Sequence, residues 1–170
     1  VKQEAEFVEG RTFGGGAPRG TVPGVRAGQL INYAKEDEGY GAVRAFDPRT
    51  GDMRWEFKMT DFTDAGILTT GSNVLFSGGR EGYFYALDAR SGKVIWKRKA
   101  PGRISGAATL IGDIVYFGDL QSRSTTGLGA RTGRTVFKYP RGGFNPVVSD
   151  GRNLYVVGYS SLSKLTPKAP

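Results

Sequence analysis

The 170-residue sequence contains neither histidine nor cysteine. That composition rules out a Ser-His-Asp triad, a cysteine nucleophile, a tetrahedral zinc site of the usual ligands and a c-type haem attachment motif. The missing cysteine leaves the redox compartment open. No apolar run approaches the ~20 residues that a membrane-spanning helix needs, and no stretch sustains a 3.6-residue period. The chain reads as all-β, with no transmembrane segment. No signal peptide is visible at Val1, so the sequence is mature, a fragment or never exported. The glycine-rich FGGGAPRGTVPG at 13–24 lacks the Gly-Lys-Ser/Thr ending of a phosphate cradle and leads into no recognisable helix, so it reads as a loop. Glu36, Asp37 and Glu38 are consecutive carboxylates without the spaced oxygen ligands of a cation site, and they read as a solvated loop.

What the sequence does contain is a repeat. Residues 47–56 read DPRTGDMRWE, residues 88–97 DARSGKVIWK and residues 129–138 GARTGRTVFK. Gly51, Gly92 and Gly133 fall 41 residues apart, as do Trp55, Trp96 and Phe137. A fixed period of about 40 residues signals one supersecondary unit stacked on copies of itself. Within each copy an Asp, a few residues and a Gly between apolar stretches describe a hairpin: Asp bonds to turn amides, and Gly takes positive φ. The third copy departs, with Gly129 in place of Asp and Phe137 in place of Trp. The flanking stretches, GAVRAFD and MRWEFK, then GYFYALD and VIWKRK, have the aromatic and β-branched content of strands. Two further strands per unit lie upstream. Their second members, Val74–Phe76, Ile114–Phe117 and Leu154–Val157, are apolar without alternation, the pattern of strands covered on both faces.

Four strands per 40-odd residues, with an aromatic at one fixed place in the last, describe a β-propeller of four-stranded antiparallel blades, the aromatic lying between neighbouring blades. The familiar propeller of this period carries Gly-His and Trp-Asp signatures, which this sequence lacks. The expected organisation is one propeller segment over 1–170: an irregular first blade at 1–59, whole blades at 62–100 and 103–140, and a blade lacking its fourth strand at 143–166. About four blades make a partial or half propeller, completed by further blades or by a second copy of the chain. Replacement of a tryptophan in the repeat is expected to cost core stability.

Charge is uneven. Residues 1–85 carry 10 Lys and Arg against 12 Asp and Glu, and residues 86–170 carry 14 against 4, so the halves stand at −2 and +10. The basic half is compatible with an acidic protein partner, or with solvated charge on turns and outer strands. Nucleic acid is not expected.

The stretch GILTTGSNVLFSGGREGYFYALDARSGKVIWK, within a likeness covering roughly residues 7–100, resembles the C-terminal blades of pyrroloquinoline quinone (PQQ) dependent alcohol dehydrogenases. Residues 101–170, with YFGDLQSRSTTGLGARTGRTVFKYPRGG, look more like non-catalytic PQQ-like repeat propellers. The resemblance implies a periplasmic or extracellular setting and a PQQ-linked alcohol oxidation. It also implies a Ca²⁺ or lanthanide that requires the blades missing here, and a Trp-bearing turn that docks blades. The family's metal ligands and base come mostly from earlier blades, and no match to them is recognisable. One cofactor-proximal motif, Trp-Gly-Gly or Trp-Ala-Gly, matches Asp64, Ala65 and Gly66 with Asp64 in place of Trp. Because the first strand of each propeller blade lines the channel, the entrances FTDAGIL, RISGAAT and GFNPVVS place Asp64, Ser105 and Asn145 at equivalent positions. Ala65, Gly66, Ser105 and Asn145, with Asp64, are the candidate cofactor-binding residues. A carboxylate at Asp64 beside an anionic quinone is repulsive unless a cation intervenes, so PQQ is not expected to bind this chain alone. Three readings stand: blades of a quinoprotein dehydrogenase without a complete active site, a non-catalytic scaffold or protein-interaction propeller, or a truncated or engineered half-propeller that dimerises.

Overall fold

The computed structural model describes residues 41–167 apart from Phe62, Asp64 and Phe144. Residues 1–40, with the glycine-rich loop and the Glu36–Glu38 trio, lie outside the described residues. Thirteen strands run in order: β1 (Gly41–Phe46), β2 (Met53–Met59), β3 (Leu68–Thr69), β4 (Val74–Gly78), β5 (Tyr83–Asp88), β6 (Val94–Lys99), β7 (Thr109–Ile111), β8 (Ile114–Asp119), β9 (Ser124–Gly129), β10 (Thr135–Tyr139), β11 (Val148–Ser149), β12 (Leu154–Val157) and β13 (Leu162–Leu165). They form four antiparallel meanders: β1-β2, β3-β4-β5-β6, β7-β8-β9-β10 and β11-β12-β13. These are propeller blades, called first to fourth below.

The repeat turn is closed by its own chemistry. Asp88 Oδ1 accepts from the amides of Arg90 and Ser91 (3.1 and 2.8 Å), the Gly92 amide donates to the Asp88 carbonyl (2.8 Å), and Gly92 sits at φ +70°. In the third copy, where Gly129 replaces Asp, the backbone bond survives: the Gly133 amide donates to the Gly129 carbonyl at 2.7 Å. The side-chain bond is auxiliary; the backbone ring and the left-handed glycine define the turn.

Beyond the turn a bulge resets the phase. Leu87 pairs with Val94 and Ala86 with Trp96, so Ile95 is the extra residue. Val94 and Ile95 both face outward, at 46% and 49% exposure, and Trp96 turns inward at 7%. The same register shift falls between Ala45 and Phe46 in the first blade and between Thr135 and Phe137 in the third.

Three cores lie between successive sheets. Val43 and Met59 of the first blade pack on Leu75, Tyr85 and Leu87 of the second. Phe76, Phe84, Ala86 and Trp96 pack on Val115, Phe117 and Leu128 of the third, with Phe84 and Phe117 stacked at 4.2 Å. Tyr116 meets Val147 and Val156 of the fourth. Neighbouring residues Leu75 and Phe76, like Phe117 and Tyr116, thus serve different cores, which is why those strands are apolar without alternation. Each tryptophan also reaches across: Trp55 Nε1–H donates to the Ala89 carbonyl (3.1 Å) and Trp96 Nε1–H to the Ala130 carbonyl (3.0 Å).

The turn carboxylates are expected to make this fold acid-sensitive. Asp150 accepts from the amides of Arg152 and Asn153 (2.9 and 2.7 Å), from Asn153 Nδ2 (2.9 Å) and from the Tyr155 hydroxyl (2.8 Å). The Asn153 side-chain bond first, then the amides, hold its carboxyl well below the usual range, and Ser91 does the same for Asp88. A depressed folded pKa means a contribution that is full above the unfolded value of about 4 and is lost as pH falls through the folded one. Urea midpoints are therefore expected to hold from neutral pH to about pH 5 and fall below it. Asp150→Asn should flatten that fall; a variant with the wild-type acid profile would remove Asp150 from the explanation.

Candidate functional site

The candidate residues sit where each blade hands over to the next. The Thr63 hydroxyl donates to the Gly78 carbonyl (2.7 Å) and accepts from the Ala65 amide (3.1 Å), which fixes the entrance to β3. Ala65 is half-buried and belongs to the rim of the core between second and third blades. Gly66 lies against the next entrance: a Cβ there would stand 3.1 Å from the Ala107 Cβ. In that next entrance Ser105 Oγ is buried without a hydrogen-bond partner, beside the fully buried Ile104. Asn145 is exposed in the crossover between third and fourth blades. Asp64 lies outside the described residues. The structure thus brings Gly66 to the segment of Ser105 and gives no contact that joins Asn145 to either.

Sequence reasoning missed the glycines that allow these crossovers to seat. A Cβ at Gly78 would stand 2.3 Å from Ile104 Cγ2, and one at Gly118 would stand 2.5 Å from the Gly143 carbonyl oxygen. A Cβ at Gly102 would meet the Gln121 Cβ at 2.2 Å, and one at Gly142 would meet the Ser124 backbone at 2.8 Å. Gly78, Gly118 and Gly158 recur at 40-residue intervals (118 − 78 = 158 − 118 = 40), a signal the sequence did carry.

Most of the described carboxylates are engaged elsewhere. Asp47 pairs with Arg54 and Glu56 with Arg44, both at 2.5 Å, while Glu81 accepts from the Tyr85 hydroxyl (2.5 Å) and the Asp61 amide (3.0 Å). Burial first, then the Glu81 contact, pushes the Tyr85 hydroxyl far above its ordinary range, so it stays a proton donor. Asp119, 1% exposed, accepts from the amide of Ser122 (2.8 Å) and from the hydroxyls of Ser122 and Ser124. Among the described residues no group of three His, Cys, Asp or Glu could hold a metal ion. Ala65, Gly66, Ser105 and Asn145 offer one unpartnered hydroxyl and one exposed amide, and by themselves supply no charge to hold an anionic quinone.

Four consecutive meanders joined through interdigitated cores, with crossovers seated on strand-end glycines, define a β-propeller segment. Residues 39–162 match the family model PQQ_2, described as outer membrane protein assembly factor BamB, and the chain belongs to that family. A quinoprotein ethanol dehydrogenase of Pseudomonas aeruginosa is 46% identical over 61 residues, 36% of this chain and 10% of that protein. Subunit 1 of a methanol dehydrogenase (cytochrome c) of Methylorubrum extorquens is 36% identical over 92 residues, 54% of this chain and 14% of that protein. Among solved structures, BamB from Moraxella catarrhalis superposes with a TM-score of 0.62 at 26% identity, covering 74% of this chain and 39% of that one. The chain thus spans between about a tenth and a fifth of the curated relatives it matches and two fifths of that BamB.

Proposed function

We propose that this chain supplies C-terminal blades to a quinoprotein-dehydrogenase-like propeller and that the groups doing the chemistry belong to blades other than those described. The observation that carries this reading is the 46% identity over 61 residues to a quinoprotein ethanol dehydrogenase, and the commitment of Asp47, Glu56, Glu81, Asp88, Asp119 and Asp150 to turns and ion pairs is consistent with it. Its role is to wall the ring. The Trp55 and Trp96 contacts act as blade-docking bonds, and Ala65, Gly66, Ser105 and Asn145, with Asp64, line the channel end without gripping a cofactor alone. The partners are the remaining blades or a second copy of the chain, in a periplasmic or extracellular setting consistent with relatives of these descriptions.

The likeness to BamB over 74% of the chain favours a second reading, a non-catalytic scaffold that binds protein. Absorbance titration of PQQ into the purified chain, with and without Ca²⁺, addresses the first reading. No stoichiometric uptake is expected in either condition. Tight one-to-one uptake would overturn the assignment of the cofactor seat to other blades. Appearance of uptake when the other blades of a quinoprotein dehydrogenase propeller are added as a separate polypeptide would favour the dehydrogenase reading over the scaffold.

A further inference from the structure

At one end of the third and fourth blades, four segments lie side by side. The Leu120 amide donates to the Arg103 carbonyl (2.9 Å), which ties the 100–108 crossover to one flank of the 119–124 hairpin. The Thr125 hydroxyl donates to the Arg141 carbonyl (2.9 Å), which ties the 140–147 crossover to the other flank. The 158–161 hairpin follows, where the Arg123 guanidinium lies 4.7 Å from the centre of the Tyr159 ring. These segments carry three exposed arginines, Arg103, Arg123 and Arg141, and one acid, Asp119, which is buried and bonded to Ser122 and Ser124. No described ion pair involves any of the three arginines.

Arg123 is held unusually. Its φ is +52°, and Asn73 is the other described non-glycine residue at positive φ. Left-handed backbone costs an arginine about 1 kcal/mol or more, and asparagine tolerates it far better. The hairpin keeps this conformation because Asp119 locks it from beneath, and Gly102 and Gly142 press the crossovers against it. The same hairpin position one repeat earlier is Gly82 at φ +78°, so the turn itself demands the left-handed backbone, and an arginine placed there holds its guanidinium over Tyr159.

We propose that this end of the third and fourth blades binds an extended acidic segment of a partner protein. Arg123 stands on the hairpin, and Arg103 and Arg141 stand on the crossovers tied to its two flanks, so the segments that carry the three arginines follow one another in a row. A row matches carboxylates repeated along an extended chain, each taken by a planar guanidinium fork; a single phosphate calls for convergence. The second blade differs, since its corresponding segments carry Asp61 and Glu81 with Arg80 and Lys99 beside them, a balanced end where the third and fourth blades present arginine alone. The opposite end is mixed, with Asp113 and Asp150 among Arg131, Arg134 and Arg152. The inference is independent of whether the ring is catalytic.

The test is fluorescence anisotropy of a labelled peptide alternating glutamate and serine over about 12 residues, roughly 40 Å when extended, titrated with the full chain. Arg123→Gly is the informative variant, because glycine accepts φ +52° without penalty, so the charge is lost while stability holds or rises. Arg123→Gly combined with Arg141→Ala is expected to weaken binding about tenfold or more, with Arg131→Ala plus Arg134→Ala at the opposite end changing it less than about twofold. Equal loss from both pairs, or no loss from the first, overturns the site. Inorganic phosphate or phosphatidylglycerol vesicles that bind through Arg103, Arg123 and Arg141 while the peptide does not would reassign it to a phosphate ligand and overturn the proposal.

Discussion

Trp96→Ala is expected to lower the free energy of unfolding by about 4 kcal/mol, within the range for truncating a large buried aromatic. Trp96 is 7% exposed, lies 5.7 Å from Phe76 and 6.1 Å from Phe84 between ring centres, and belongs to the core shared by second and third blades. Its loss opens a cavity where two sheets meet and leaves the Ala130 carbonyl without its indole donor. Trp96→Phe keeps most of the packing and loses the N–H, so its cost should be nearer 1 to 2 kcal/mol, roughly one hydrogen bond plus a small volume change. Urea denaturation followed by circular dichroism measures both. A loss under about 1 kcal/mol for the alanine variant would reject the view that this side chain docks the blades.

Gly92→Ala should cost about 3 kcal/mol, while the same change at Gly51 costs about 1 kcal/mol. Both glycines occupy the same place in the repeat, at φ +70° and +78°, so the left-handed penalty is common to them. Their surroundings differ. A Cβ at Gly51 meets no described atom within 4 Å, whereas at Gly92 it would stand 2.6 Å from the ring of Trp55 in the preceding blade. Gly133 repeats the arrangement, with Trp96 at 2.7 Å. Side by side, the two alanine variants separate the backbone role of the turn glycine from its role as the floor on which the previous tryptophan lies. Equal midpoint shifts would show that the ring moves aside at no cost.

The blade pattern was legible because each hairpin is a local object. DPRTGD, DARSGK and GARTGR specify turns through residues within six positions, and the strands on either side announce themselves by composition. The two-sided burial of Val74–Phe76 and Ile114–Phe117 was legible too, since a strand between two cores cannot alternate. Within one strand, however, the phase was hidden: Val94, Ile95 and Trp96 are all apolar, and the bulge after Leu87 alone turns the first two out and the third in. The channel-end candidates were placed by analogy between entrances. Gly66 lies against the neighbouring entrance through Ala107, some 40 residues on, and the Ser105 hydroxyl is buried next to its chain neighbour Ile104; neither placement can be read from the residues on either side of Gly66 or Ser105.

By itself the sequence determined the class of architecture, the repeat length and the left-handed glycine turns, because these depend on backbone preferences and on apolar patterning over a few residues. It also excluded the chemistries that need histidine or cysteine. Only the tertiary structure decided that Gly92 and Gly133 floor a tryptophan from the blade before, that Gly102 and Gly142 clamp the 119–124 hairpin, and that Asp119 is buried while Arg103, Arg123 and Arg141 stay outside. The reason is physical. Close approach between segments and the burial of a charge depend on which surfaces meet when one sheet packs on the next, and that geometry is a property of the stacked blades.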